Sequence, residues 1–224
     1  MPPAYGIIVP VRNEAALLPL TVPRLLAATA ADMVRIIWVC NGCTDNSAAI
    51  IRHIAGPHGE VIELPRPGKI GALQAGDTAL GALFPRFYMD ADSWIRPGDM
   101  APLVQALQSV DTELVAPALN YDVSQSSWLS ARIAACWLAL PHGRSIAFSM
   151  LLGLTAAGRA RWDEWPDVTG DDSFVAATIP STRRRRIAGA LATSPAPADF
   201  AGWVRMRARW RRGEAELAAR SLTV

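Results

Sequence analysis

The stretch Phe87-Tyr88-Met89-Asp90-Ala91-Asp92-Ser93 takes an apolar run directly into two carboxylates. In an extended segment residues i and i+2 point to the same side, about 7 Å apart at Cα, so Asp90 and Asp92 can face one ligand. Two like charges that close call for a cation or water between them. A buried strand ending at Met89 would put the pair at the carboxyl edge of a sheet, where open α/β folds bind their ligands. Hard oxygen donors of this kind suit Mg²⁺ or Mn²⁺ carrying a substrate phosphate. The competing reading is a solvated turn between strand and loop, and only the rest of the chain can decide between them.

Towards the N-terminus, strand-like and helix-like segments alternate. Tyr5 to Val11 is β-rich and closes on Pro10, which cannot donate to a ladder and suits a strand end. Arg12, Asn13 and Glu14 follow as a polar corner. Leu17 to Ala30 then carries apolar residues at helical spacing, with Pro19 and Pro23 expected near its first turns. Val34 to Cys40, the corner Asn41-Gly42-Cys43-Thr44-Asp45-Asn46-Ser47 with its capping residues, and a helix from Ala48 to Ile54 repeat the unit. Val61 to Leu64 is a third strand, Pro65-Arg66-Pro67-Gly68 a rigid turn, and Lys69 to Leu83 a helix. In that helix Gly71, Ala72, Ala75, Gly76 and Ala79 permit close approach to a neighbour. Continuous apolar strands alternating with helices predict an α/β fold with a mostly parallel central sheet flanked by helices and a Rossmann-like N-terminal half. No Gly-x-Gly-x-x-Gly follows the first strand, and Gly68-Lys69 lacks a following Ser or Thr, so neither a dinucleotide fold nor a P-loop is supported.

Beyond the acidic pair, Ile95-Arg96-Pro97-Gly98 turns into a helix from Asp99 to Gln108, and Leu114 to Leu119 reads as a strand before a polar loop, Asn120 to Ser127. Two apolar halves, Ile133 to Leu140 and Ile146 to Leu154, are split by Pro141-His142-Gly143-Arg144. Each is too short to span a bilayer; a buried helical hairpin is expected, a membrane-touching surface being the alternative. Pro166 to Ser173 is a second acidic corner ahead of the apolar run Phe174 to Ile179. Arg183 to Arg186 reads as an exposed strand or turn, or else as a partner for an anionic headgroup or lipid-linked diphosphate. Ala201 to Arg220 reads as a helix carrying Arg205, Arg207, Arg209, Arg211 and Arg212 among Trp203, Met206 and Trp210.

The 224 residues, 51% of them hydrophobic, suffice for one large domain spanning 1–224. A net charge of +2 gives no global field for nucleic acid. Three cysteines, Cys40, Cys43 and Cys136, form neither a disulfide framework nor a zinc set, so a reducing cytoplasm is the expected home. The start lacks a basic stretch followed by a signal-type apolar core, and no apolar run reaches 18 residues; no secretory route and no spanning helix are expected. Among the basic residues Lys69 is the sole lysine. His53, His58 and His142 are scattered. Trp94, Trp128, Trp137, Trp162 and Trp165 suit sugar or lipid faces, though core filling explains most of them equally well.

These motifs resemble the family 2 glycosyltransferases of the GT-A fold along nearly the whole chain. Val9-Pro10-Val11-Arg12-Asn13-Glu14 is similar to the family's opening strand and corner, which implies that Pro10, Arg12 and Glu14 border the donor nucleotide. Val39 to Asn46 is similar to the second corner, with Cys40 and Asn41 where the family has two aspartates; Asn41 would still face the nucleoside, but without charge. Pro67 to Gly76 is similar to the lysine-bearing helix start, placing Lys69 beside the donor. Asp90 and Asp92 match the metal-binding pair, Asp92 touching the cation most directly. Gly170-Asp171-Asp172 resembles the segment that carries the catalytic base, an N-cap being the bland alternative. Arg205 to Trp210 resembles an arginine-tryptophan element of processive members, incomplete for want of a glutamine.

The resemblance implies a donor and metal half, residues 1–98, and an acceptor half, 99–224, with a C-terminal helix. Asp92 and Asp90 would hold Mg²⁺ or Mn²⁺ on the donor diphosphate, aided by Lys69 or Arg209. Asp172 would take the acceptor proton, with Asp171 orienting acceptor, and direct displacement would invert the anomeric centre. The partners implied are a nucleoside-diphosphate sugar and a glycan, lipid-linked or small-molecule acceptor, in the cytoplasm or peripherally at the inner face of the membrane; homodimerisation stays open. A sugar-phosphate nucleotidyltransferase and a non-catalytic nucleotide-sugar-binding relative are the alternatives.

Overall fold

The apolar runs of the first half pair into the core of one sheet in the computed structural model, which describes residues 4–29, 33–140, 146 and 149–222. In chain order the first half contains β1 (Tyr5–Val11), α1 (Leu18–Ala28), β2 (Val34–Asn41), α2 (Ser47–Ala55), β3 (Glu60–Leu64), α3 (Lys69–Leu80) and β4 (Arg86–Met89). The second half contains β5 (Trp94–Ile95), α4 (Met100–Ala106), β6 (Leu114–Asp122), α5 (Trp128–Ala139), β7 (Leu151–Leu154), α6 (Ala156–Arg159), α7 (Asp171–Thr178), β8 (Arg184–Pro195) and α8 (Phe200–Ala218).

Among the described residues the strands form one sheet in the order β3-β2-β1-β4-β7-β6-β8-β5. β3, β2, β1 and β4 run parallel, with Ile7 opposite Ile36 and Phe87. The second half is mixed: β7 is antiparallel to β4 and β6, β6 is parallel to β8, and β5 closes antiparallel on β8. Side chains alternate between two buried faces. Ile7, Val9, Ile36 and Trp38 pack towards α1 and α2, whereas Ile8, Ile37 and Val39 pack with Ala72 and Leu73 of α3. A Cβ at Gly76 would collide with Ile8, so glycine lets α3 lie directly on β1, the close approach its small residues predict. α3 stops at Leu80 because Gly81, at φ +59°, turns the chain while its N–H caps the Asp77 carbonyl at 3.1 Å. Pro23 lies inside α1 rather than in its first turn.

The expected buried hairpin is not formed. Its first half is α5, whose outer side is exposed, and Leu151 to Leu154 of its second half is strand β7. Residues 141–145, with His142 and Arg144, lie outside the described residues, as do 147 and 148. A short apolar run is equally compatible with a buried strand; here pairing with β4 and β6 makes it one, and Gly153 leaves room for the Phe87 ring of β4, into which any Cβ would run. β6 extends to Asp122, so Asn120 to Asp122 belong to strand, not to the expected polar loop. Arg184 to Arg186 open β8 at the end paired with Leu114, and Arg183 ends the turn before it. Arg183 joins Glu113 at 3.5 Å and Arg184 Nε donates to the Ile179 carbonyl at 2.6 Å, so the block anchors the sheet's far end.

Behind the sheet, Asp77 of α3 is buried with four donors on it: Arg86 Nη1 at 2.5 Å, Tyr88 Oη at 2.7 Å, and Arg159 Nε and Trp165 Nε1 at 2.8 Å. Trp165, Trp162 and Phe174 of α7 form an aromatic cluster on this hub. One carboxylate thereby ties α3, β4 and α6 to the support of α7. Asp77→Ala leaves two guanidinium groups without their buried partner and should cost about 3–5 kcal/mol in urea unfolding. Tyr88→Phe, which removes one donor, should cost about 1 kcal/mol. A loss of under about 1 kcal/mol for the alanine variant would show that the hub is not structural.

Candidate active site

The carboxyl ends of β1, β2 and β4 surround a cavity of about 490 Å³. Pro10, Arg12, Glu14, Asn41, Lys69, Asp90, Asp92, Asp171, Asp172 and Arg209 all line it, so the residues that the resemblance assigns to donor, metal and base stand around one space. Tyr121 of β6, Ser194 and Pro195 of β8, and Met206 and Trp210 of α8 complete the walls. Trp94, Trp128, Trp137, Trp162 and Trp165 are not among the lining residues. Arg183 to Arg186 stand at the opposite end of β8 from Ser194, which leaves the basic block unable to meet a ligand of this cavity.

Two corners form the nucleotide side and are stitched together by side chains. Asn13 adopts φ +55°, which asparagine tolerates, and its Oδ1 accepts the Thr44 N–H at 2.8 Å. Ser47 Oγ accepts the Glu14 N–H and Asp45 Oδ2 the Ala15 N–H, both at 3.0 Å. Asn41 is buried with its polar atoms engaged: Nδ2 donates to the Val11 carbonyl at 2.8 Å, and Oδ1 accepts the Gly68 N–H at 3.0 Å. An aspartate could accept from Gly68 but could not donate to Val11. The asparagine therefore clamps β1, β2 and the start of α3 together. Cys40 points the other way, into the core beneath α2, where burial and then the neighbouring Cys43 push its thiol up to about 12.

The acidic side draws on both halves of the chain. Lys69, the first residue of α3, holds Asp90 at 2.7 Å and Asp171 at 2.8 Å, so this helix-start lysine is an ion-paired bridge even though its side chain stays 40% exposed. Burial opposes its charge, but Asp171 and Asp90 outweigh that and raise its pKa above the ordinary lysine value. Asp171 is no N-cap: Gly170 occupies that position, and both aspartates lie in the first turn of α7. Glu216 of α8 grips the Thr169 N–H at 2.6 Å and its hydroxyl at 2.9 Å, while Gly213 packs on Gly170, 3.2 Å from its nitrogen to a would-be Cβ. Nothing local in the sequence marks Gly213 and Tyr121, which line the cavity, or Glu216, which braces the loop ahead of α7, because each acts through long-range packing.

Crowding shifts the carboxyls. Burial, followed by Asp171, pushes Asp172 up to about 8, with Lys69 opposing. Burial, then Asp92, Asp45 and Asp90, pushes Glu14 up to about 7. Asp92 is raised by burial and by Asp90. Such a cavity favours a cation. No three His, Cys, Asp or Glu side chains among the described residues converge as a complete metal cage. Asp92 and Asp90 are the neighbouring carboxylates of the cavity that could hold a divalent ion.

Residues 6–149 match the model of glycosyl transferase family 2. No curated protein matches the chain. Among solved structures, a mannosyltransferase from Pyrobaculum calidifontis, PcManGT, in complex with GDP-Man and Mn²⁺, superposes with a TM-score of 0.74 at 21% identity, over 98% of this chain and 65% of that one. TarS of S. aureus in complex with UDP-GlcNAc gives 0.61 at 12% identity, over 85% and 58%. The chain thus spans less than two thirds of each of these two neighbours, the second being residues 1–349 of TarS.

The raised carboxyls have a consequence for stability. Between about pH 5 and pH 7 the folded, ligand-free protein keeps protons on Asp172 and Glu14 that the unfolded chain has released, so stability falls as pH rises, by up to about 1.4 kcal/mol per pH unit per group. Urea unfolding across this window should show the fall, and Asp172→Asn should flatten it. A flat or rising wild-type curve, or a variant curve parallel to it, would contradict the crowding.

Proposed function

The chain belongs to glycosyl transferase family 2 and has its GT-A-like α/β fold, and from that we propose an inverting transferase that moves a sugar from a nucleoside diphosphate to an acceptor hydroxyl. The observation that carries the reading is that two acidic motifs some eighty residues apart, Asp90 with Asp92 and Asp171 with Asp172, front one cavity and share Lys69. GDP-mannose, the ligand named with the Pyrobaculum enzyme, is the first donor to test, with UDP and dTDP sugars beside it.

Pro10, Arg12, Glu14 and the backbone around Asn41 would seat the nucleoside. Asp92 and Asp90 would hold Mg²⁺ or Mn²⁺, which when bound supplies Lewis-acid neutralisation of the diphosphate. Lys69 and Arg209 add positive charge where the leaving oxygen develops its own. Asp172 takes the proton of the acceptor hydroxyl as its oxygen bonds to the anomeric carbon, and the electron pair of the broken C–O bond leaves on the diphosphate. With its pKa pushed up to about 8, Asp172 is a strong base once deprotonated, and the positive charge of a bound cation would favour loss of the proton it carries in the ligand-free protein. Asp171, held by Lys69, orients the acceptor. No second carboxylate nucleophile is needed, because the leaving group arrives activated. A cytoplasmic location with peripheral approach to the inner face of a membrane belongs to the same reading; among the described residues no helix is long and apolar enough to cross one.

Nucleotidyl transfer draws no support from the corner Arg12-Asn13-Glu14, which is stitched to Thr44 and Ser47 instead of forming a glycine-rich loop. A donor-binding relative without transfer is the reading that Cys40 and Asn41 keep alive. Asp172→Asn separates the two: metal-assisted donor binding should stay within about threefold while turnover falls by at least about 10²-fold. Asp92→Ala should abolish the metal dependence of binding. Equal loss of binding and turnover in Asp172→Asn would make that residue structural.

A further inference from the structure

α5 and α8 lie side by side and run the same way. The Ser127 N–H donates to the Ala198 carbonyl at 2.7 Å where the two helices begin, Trp203 Nε1 donates to Ser130 Oγ at 2.7 Å a turn later, and the Trp137 and Trp210 rings meet at 4.8 Å beyond. Away from this seam the pair carries large apolar side chains in water: Trp128 at 73% exposure, Leu129 at 47%, Phe200 at 57% and Val204 at 53%. Phe200, Val204, Arg207 and Arg211 follow i, i+4, i+7 and i+11 and therefore share one stripe of α8. On α5, Arg132 stands one turn after Trp128, its guanidinium 5.7 Å from the ring centre. Apolar side chains scattered singly need no explanation, but a cluster on two adjoining helices does.

The charge around the cluster says what covers it. No Asp or Glu occurs between Asp122 and Asp163, and α8 with its N-cap Asp199 carries five arginines from Arg205 to Arg212 before its two carboxylates, Glu214, which pairs with Arg207 at 3.1 Å, and Glu216, which is turned to Thr169. Residues 1–122 carry 8 basic and 12 acidic residues, whereas residues 123–224 carry 14 basic and 8 acidic. A two-fold pairing of this face with a second copy would bring its arginines near one another. A negatively charged lipid surface takes both components at once, the rings and aliphatic chains entering the interface while the guanidiniums meet phosphates.

We infer that the α5–α8 face docks the protein peripherally on a bilayer rich in anionic phospholipid. The inner side of α8 supplies Met206, Arg209 and Trp210 to the cavity, so the docked helix is also a wall of the site. The inference sharpens the peripheral approach proposed above and holds whatever group the enzyme transfers.

Sedimentation with sucrose-loaded vesicles tests it. The protein should bind phosphatidylcholine vesicles containing phosphatidylglycerol, should not bind phosphatidylcholine alone, and should be released by salt. Trp128→Ser with Phe200→Ser, and separately Arg207→Glu with Arg211→Glu, should each weaken binding by at least about tenfold. Far-UV circular dichroism and metal-assisted donor affinity should stay unchanged, which separates a docking defect from a failure of the transferase reading. Absence of vesicle binding, equal binding to neutral and anionic vesicles, or a wild-type dimer in light scattering that Trp128→Ser with Phe200→Ser dissolves would each overturn the inference.

Discussion

Two bonds from one ammonium, Lys69 to Asp90 at 2.7 Å and to Asp171 at 2.8 Å, join the end of β4 to the start of α7. Lysine at the first position of a helix faces the positive end of its dipole, so the two carboxylates are what make that position tenable. The aspartates of α7 are in the opposite situation, since a helix N-terminus favours negative charge. The placement of Lys69 depends in turn on α3 lying tight against β1, which Gly76 permits over Ile8. Close packing of a helix on a sheet thereby fixes the electrostatics of the cavity.

Around this bridge the protein concentrates more negative charge than it neutralises. Glu14, Asp90, Asp92, Asp171 and Asp172 face Lys69, Arg12 and Arg209 across the same space. The raised pKa values of Glu14 and Asp172 come first from burial and then from that excess: in the ligand-free protein part of the charge is removed by protons. The walls that hold these groups are rigid for separate reasons. Asn13 and Asn41 clamp the two corners through backbone hydrogen bonds, and Glu216 fixes the loop ahead of α7 from a helix near the end of the chain.

The first half was legible because its strands are buried on both faces and read as continuous apolar runs broken by polar corners. There the sequence fails mainly at element ends, as with Gly81, and at Pro23. The second half resisted for physical reasons. Ile146 to Leu154 reads equally as helix or strand, and the antiparallel course of β7 is set by its partners β4 and β6, not by its own pattern. The basic start of β8 hides a strand whose arginines are satisfied by Glu113 and by carbonyls. The acidic motifs were visible as local residue types, and the segment Arg205 to Trp210 stood out by its resemblance; Tyr121 and Glu216, which wall or brace the same cavity, did not, because their contribution exists only once β6 and α8 have packed. Asp77, the hub beneath α7, was invisible for the same reason.

The excess negative charge of the cavity is most directly tested by titrating the protein with Mn²⁺ at pH 7, with UDP, GDP or dTDP sugars present, in two buffers of different ionisation enthalpy. Cation-dependent binding should release about one proton per site, discharged from Asp172 and Glu14 as positive charge enters. Binding heats that are equal in the two buffers, or the absence of divalent-dependent binding with any of these donors, would contradict it.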